Sequence, residues 1–195
     1  ANWSYMIKKS IEETAFFGMA WKTLETIIVN GFQAIIFLFL ARLLTPSDFG
    51  VVALVGAFIA ISNVLVNSGL GTAIIQTKEA REIDYSSVLF FSIFLAFIFY
   101  ILFFISAPII AIFYEEPIIK NVLRIYAVSI LFSAINGVQK SILLRELEFK
   151  KIFLVSSVSV ISSGVISVIL ALSGFGVYAL VFNSIFVGLS SMIAF

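Results

Sequence analysis

Cysteine and histidine are both missing from the 195 residues. Their absence removes disulfides, thiolate nucleophiles, Cys/His metal sites and the side chain best suited to proton transfer at neutral pH. Charge is scarce as well: 12% of residues are ionised, where soluble domains carry about 25%. The 12 basic and 11 acidic residues leave a formal net charge of +1, so no bulk field points to nucleic acid. There is no GxxxxGK[ST] phosphate loop, no GxSxG elbow and no HExxH pair. The neighbouring carboxylates Glu12/Glu13 and Glu115/Glu116 fall at helix ends rather than facing one another across a cleft. The chain therefore does not read as an enzyme, and no cofactor or metal is expected.

Apolar residues fill the space that these absences leave. They make up 62% of the chain, 22 of them phenylalanine, and the mean hydropathy is +1.16. A membrane-crossing helix needs about 20 mainly apolar residues, and runs at 17–44, 46–75, 86–113, 118–144, 152–172 and 177–195 qualify. The expected fold is all-α: a polytopic membrane protein of six transmembrane helices over 16–195, behind a cytoplasmic segment at 1–15. The first apolar run lacks an A-x-A-like cleavage site, so it reads as a retained span and not a signal peptide. Met6 reads as the natural start, with Ala1–Tyr5 as additions ahead of it. At the other end, Ser191–Phe195 stops within an apolar run without the polar or aromatic anchors of a membrane surface, which reads as an N-terminal piece of a longer protein.

The stretch ARLLTPSDFG, 41–50, joins the first two runs. Thr45 suits an N-cap, Pro46 the first helical position, and Asp48 the third, where its carboxylate can return a bond to the cap. Arg42 closes the preceding helix, and Gly50 is expected to permit close packing. Tyr114-Glu115-Glu116-Pro117 repeats this grammar, with carboxylates at the positive end of a helix dipole. Ser173-Gly174-Phe175-Gly176 breaks the last two spans. The third span is crowded with phenylalanine and is expected to face lipid, with Pro108 kinking its far end. With the amino end cytoplasmic, nine Lys/Arg side chains fall on that side, among them the charged loop at 78–84, against Arg42, Lys120 and Arg124 on the other, a clear positive-inside bias.

An ionisable group at the middle of a membrane helix costs about 2.5–3.5 kcal/mol on insertion scales, so it faces protein or water. On the first span Lys22, Glu25, Thr26, Asn30 and Gln33 fall within about 140° of one another at 100° per residue. Either Lys22 and Glu25 merely neutralise each other near the cytoplasmic surface, or the stripe lines a hydrated cavity. In the second case Lys22 supplies positive charge, and Asn30 and Gln33 supply hydrogen bonds. The second span aligns Ala53, Gly56, Ala60, Asn63 and Asn67, a pattern of close packing with amide cross-links. The fourth aligns Ser129, Ser133, Asn136 and Lys140, with Gln139 beside them; Lys140 either snorkels to the surface or joins the cavity. Ser156, Ser159, Ser163 and Ser167 on the fifth read as a packing face. A bundle that turns such stripes inward encloses a polar space.

The segments ARLLTPSDFGVVAL, SGLGTAIIQTKEAREIDYSSVLFF, LRIYAVSILFSAINGVQKSILLRELEFKKI and GFGVYALV, in this order, resemble the polysaccharide transporter family. These are the O-antigen and teichuronic-acid flippase-like exporters of the multidrug/oligosaccharidyl-lipid/polysaccharide exporter superfamily. The resemblance implies two similar helical lobes that move lipid-linked oligosaccharide across the bacterial inner membrane by alternating access. This chain would be the N-terminal lobe, with the C-terminal lobe, the bilayer and the glycolipid as its partners and Na+ or H+ as the candidate coupling ion. It also implies that Lys22, Arg42 and Lys140 are the cations placed to meet a pyrophosphate. Two other readings stay open at this point. One is a cation-coupled multidrug exporter of the same superfamily, for which Glu25 is the available acid; the other is a non-transporting scaffold or fragment.

Overall fold

The computed structural model describes the backbone of residues 2–67 and 82–195, with side chains over 18–67 and 85–195. The expected inner end of the second span, the charged loop at 78–84 and the side chains of 1–15 lie outside the described residues. Among the described residues seven helices follow one another: α1 (Asn2–Leu43), α2 (Pro46–Asn67), α3 (Glu82–Phe113), α4 (Ile118–Tyr126), α5 (Val128–Arg145), α6 (Phe149–Leu172) and α7 (Val177–Ala194). No strand occurs among the described residues. Six stretches are long and apolar enough to cross a membrane: Gly18–Leu43, Pro46–Asn67, Tyr85–Phe113, Ile118–Arg145, Phe149–Leu172 and Val177–Ala194. The fourth is α4 and α5 together, where the sequence suggests one uninterrupted helix. Ala127 between them keeps helical angles, but Ile130 N–H bonds to its carbonyl in a tighter step, and the Tyr126 carbonyl accepts the Ser129 hydroxyl at 2.7 Å.

The turns follow from local chemistry. Thr45 and Asp48 form a reciprocal cap. The Thr45 N–H and hydroxyl donate to the Asp48 carboxylate at 3.0 and 2.8 Å, and the Asp48 N–H donates to the Thr45 hydroxyl at 3.3 Å. Gly50 does not have the expected packing role: a Cβ there would meet open space, because the residue lies on the exposed side of the first turn of α2. Helices α3, α5 and α6 each end in a paired 6→1 and 5→2 hydrogen-bond cap. In α6, Phe175 N–H bonds to Leu170 and Gly174 N–H to Ala171, with Gly174 at φ +83°. The equivalent left-handed positions after α3 and α5 hold Glu115 and Leu147. Glu115 therefore closes the helix before it instead of opening the next.

The phenylalanines of α3 face outward as expected, with Phe90, Phe94, Ile105, Ile109 and Ile112 exposed, while Ser92, Ala96, Phe103, Ala107 and Ala111 turn inward. Helix α2 departs from expectation. Its buried line is Val51, Val55, Ile59, Ser62 and Val66, and Ala53 and Ala60 are exposed. The large branched residues lie about 160° round the helix from the small ones and bury more apolar area, so they take the core. That core joins α2, α3, α4, α5 and α7; a second apolar cluster ties α1 to α6 and α7. Helix α1 runs parallel to α6, with Gly18 against Phe149, Trp21 against Phe153 at 5.3 Å between ring centroids, and Ile36 against Gly164, where no Cβ would fit.

Helix α3 stays unbroken through Pro108. Proline has no N–H to give to the carbonyl four residues back, which is Phe104. Arg124 of α4 supplies the missing donor: its Nε bonds the Phe104 carbonyl at 3.2 Å while its guanidinium sits 4.2 Å from the Phe104 ring centroid. Arg124 is thereby given a structural task. Arg124→Ala is expected to lower thermal stability in detergent by about 1–2 kcal/mol. In a Pro108→Ala background, where the backbone N–H returns, the same substitution is expected to cost less than half as much. Equal losses in the two backgrounds would refute the pairing.

Candidate functional site

Glu25 is the buried carboxylate of the membrane region, 6% exposed, on the face of α1 that packs against α6. Its Oε2 accepts Lys22 Nζ at 2.7 Å from one turn earlier. Its Oε1 accepts Ser156 Oγ of α6 at 3.1 Å and Lys140 Nζ of α5 at 3.5 Å. Three helices thus converge on one carboxylate. The two lysine side chains remain 49% and 39% exposed, and two cations against one anion leave the cluster with one positive charge in excess.

Carboxamides extend the site. Asn67, at the end of α2, donates through Nδ2 to the Asn63 carbonyl at 2.9 Å and to Ser133 Oγ of α5 at 3.2 Å. Its Oδ1 fits against Gly137, where a Cβ would overlap it. Asn136 donates to the Gly188 carbonyl of α7 at 2.8 Å. The two helices approach closely there: a Cβ on Gly188 would lie 2.9 Å from the Phe132 Cβ. The side-chain amide oxygens Asn63 Oδ1, Asn136 Oδ1 and Gln139 Oε1 are buried without a hydrogen-bond partner.

These groups surround a cavity of about 410 Å³ to which all six spans contribute. Glu25 and Gln33 come from α1, Asn67 from α2, Ser92 from α3, Ser133, Asn136 and Lys140 from α5, Ser156 from α6 and Ser191 from α7. A second space of about 350 Å³ shares Gln33 with Asn183 and Ser184. The wall is largely apolar with polar groups set into it and little acid: Glu25 is the one carboxylate among the lining residues, and it is already engaged.

The polar stripe of α1 divides. Glu25 and Gln33 face the cavity, and Lys22 joins through its bond to Glu25. Asn30 is exposed, because it lies about 140° round the helix from Glu25, past the edge of the buried seam at Val29, Ile36 and Leu40. Arg42 is exposed at the far end of α1, about 26 Å along the axis from Glu25, beside the Thr45, Pro46, Asp48 and Gly50 turn. Asn63 is half-buried behind Asn67 and does not line the cavity. Ser156 does more than the packing expected of it, and its neighbours Ser159, Ser163 and Ser167 are fully buried between helices. Ser92 and Ser191 belong to no polar stripe and carried no periodic signal.

Residues 39–195 match the family model described as "Polysaccharide biosynthesis protein". The chain belongs to this family. It is 28% identical over 179 residues to the succinoglycan biosynthesis transport protein ExoT of Rhizobium meliloti, an alignment covering 90% of this chain and 36% of the relative. It is 24% identical over 140 residues to the teichuronic acid biosynthesis protein TuaB of Bacillus subtilis, covering 72% and 29%. It is 24% identical over 164 residues to the lipopolysaccharide biosynthesis protein WzxC of Escherichia coli, covering 83% and 33%. The chain therefore spans about a third of the length of these curated relatives. No solved structure matches it significantly. Fold and family together make it a multi-pass membrane protein of a polysaccharide biosynthesis family.

A buried carboxylate stripped of its partners is strongly destabilising, by about 3–5 kcal/mol when fully enclosed. With both lysines half exposed, the Lys22→Met/Lys140→Met double variant is expected to lose about 1–3 kcal/mol of stability. Adding Glu25→Gln should recover most of it, as measured by thermal unfolding in detergent. A triple variant no more stable than the double would contradict the cluster.

Proposed function

We propose that the intact protein moves lipid-linked oligosaccharide, repeat units carried on a polyprenyl pyrophosphate, from the cytoplasmic to the outer leaflet of a bacterial inner membrane by alternating access. This chain forms its N-terminal lobe, and the protein transports without chemical catalysis. The observation that carries the reading is the cavity at the centre of the six spans. It joins an excess positive charge with carboxamide and hydroxyl groups that still have bonds to give or accept. Charge meets pyrophosphate, and ammonium donors suit its oxygens. Asn67, Asn136, Gln33 and the serines are groups suited to sugar hydroxyls. The relatives' printed roles in succinoglycan, teichuronic acid and lipopolysaccharide biosynthesis support the same class of cargo.

Orientation follows from the basic residues. Lys22, Lys140, Arg145, Lys150 and Lys151 gather at one end of the bundle and Arg42, Lys120 and Arg124 at the other, so the amino end is cytoplasmic. The cluster then lies on the cytoplasmic side of the cavity, where a headgroup made inside the cell enters. A cation-coupled drug exporter would need an acid free to exchange, and Glu25 is held by two lysines.

The test is genetic and chemical. Loss of the gene is expected to abolish surface polysaccharide and to leave lipid-linked repeat units in the inner leaflet. Lys140→Ala in the intact protein should reduce export about tenfold or more, the worth of one charge-assisted contact. Unchanged polysaccharide in the deletion strain, with uptake of small cationic drugs into inverted vesicles, would decide for the drug exporter.

A further inference from the structure

We infer that Glu25 is a built-in competitor for the substrate's phosphate: its carboxylate occupies the donors of Lys22, Lys140 and Ser156 until an incoming oxyanion displaces it. The inference rests on the transport reading above and adds a device to it.

The geometry supports an exchange more than a fixed brace. Lys22, Lys140 and Ser156 present two ammonium groups and a hydroxyl to one point, the donor set that a phosphate oxyanion would recruit. The three contacts are unequal. Lys22 is bound at 2.7 Å, within the range of a charge-assisted bond, whereas Lys140 stands at 3.5 Å, well outside the usual 2.7–2.9 Å. Lys140 also lines the cavity with more than a third of its side chain exposed, so an anion arriving there reaches it without first moving α6. A buried pair of this kind is weak support for stability, since the desolvation of the ions offsets their attraction.

Displacement would have a mechanical consequence. Among the described residues, the hydrogen bonds that join α1 to other helices both end on Glu25, one from α5 and one from α6. Elsewhere in 18–43, α1 is held by apolar contact, chiefly with α6. An oxyanion that takes over Lys140 and Ser156 removes both links and leaves the lysines neutralised, so occupancy of the headgroup site loosens α1 from the lobe. Glu25 thus acts as a positioning residue that sets two states, carboxylate-in and phosphate-in.

The experiment titrates inorganic pyrophosphate into the intact protein in detergent by calorimetry. Glu25→Gln, which removes the competing charge but keeps the side-chain shape, is expected to bind about tenfold more tightly than the parent. Adding Lys140→Gln should cancel the gain. The bound pyrophosphate should be displaced by a polyprenyl pyrophosphate in mixed micelles and not by phosphatidylglycerol. A correctly folded Glu25→Gln protein, judged by its elution profile, that binds equally, more weakly or not at all would overturn the inference, because a structural acid would alter melting without raising anion affinity. Equal displacement by phosphatidylglycerol would overturn the assignment to substrate. Export lost in the deletion strain together with unimproved binding would reject this device alone, whereas normal export there would reject the transport reading itself.

Discussion

A carboxylate removed from water must be met by donors, and around Glu25 that requirement organises the lobe. Ser156 can reach it because α1 and α6 run parallel, and Lys140 can reach it because α5 passes the same level. The close contacts at Gly164 and Gly137 hold the helices that carry these donors near enough to converge. At both positions a Cβ would overlap a side chain as it stands, Ile36 in one case and Asn67 in the other, so a larger residue would displace it. Packing and electrostatics are therefore one problem here: the small residues bring the helices together, and the ionic cluster sets where along their length they meet.

The same requirement explains polar residues that have no functional task. Within hydrocarbon every backbone carbonyl has to be satisfied by protein. Proline frees the carbonyl of Phe104 and Arg124 takes it; the irregular step at Ala127 frees that of Tyr126 and Ser129 takes it. Ser62 and Ser141 bond back to the carbonyls one turn earlier, and Ser167 bonds across to Ala179. A polar residue in a span is thus a sign of function only when it is left over after the backbone has been served. By that measure Gln33 and Lys140 stand out, whereas Asn136, which serves the Gly188 carbonyl, and Arg124 do not.

Much of this was legible in the sequence. Six spans, the Thr45–Asp48 cap and the lipid-facing phenylalanines of α3 follow from length, capping chemistry and composition, all of which are local. The site was legible in part. Glu25, Gln33, Asn67, Asn136 and Lys140 come together, whereas Asn30 and Arg42 stay apart from them. A 100° periodicity shows which residues share a face, but not where the packing seam ends on that face; Asn30 lies on the stripe and beyond the seam. In α2 the small residues suggested an interface, yet Val51, Val55 and Ile59 on the other side bury more apolar surface and face inward. Ser92 and Ser156 were not legible as cavity residues: Ser92 belongs to no stripe, Ser156 belongs to a row that reads as packing, and the role of each depends on what a distant helix places opposite it.

The family match begins at Phe39, so it includes Lys140 and Ser156 but neither Lys22 nor Glu25. The matched region thus spans α2 to α7 and the positions of two of the donors, while the acid that engages them lies on α1. The proposed exchange fits that division. The dense core of α2, α3, α4, α5 and α7 gives the cavity a wall of fixed shape. The element that responds to a ligand must be the one whose attachment can be exchanged, and only a helix held by one apolar seam and one ionic cluster meets that condition. Helix α1 has both the loose attachment and the charge, and this combination makes the stripe beginning at Lys22, rather than the turn at Thr45, the place where the proposed exchange would act.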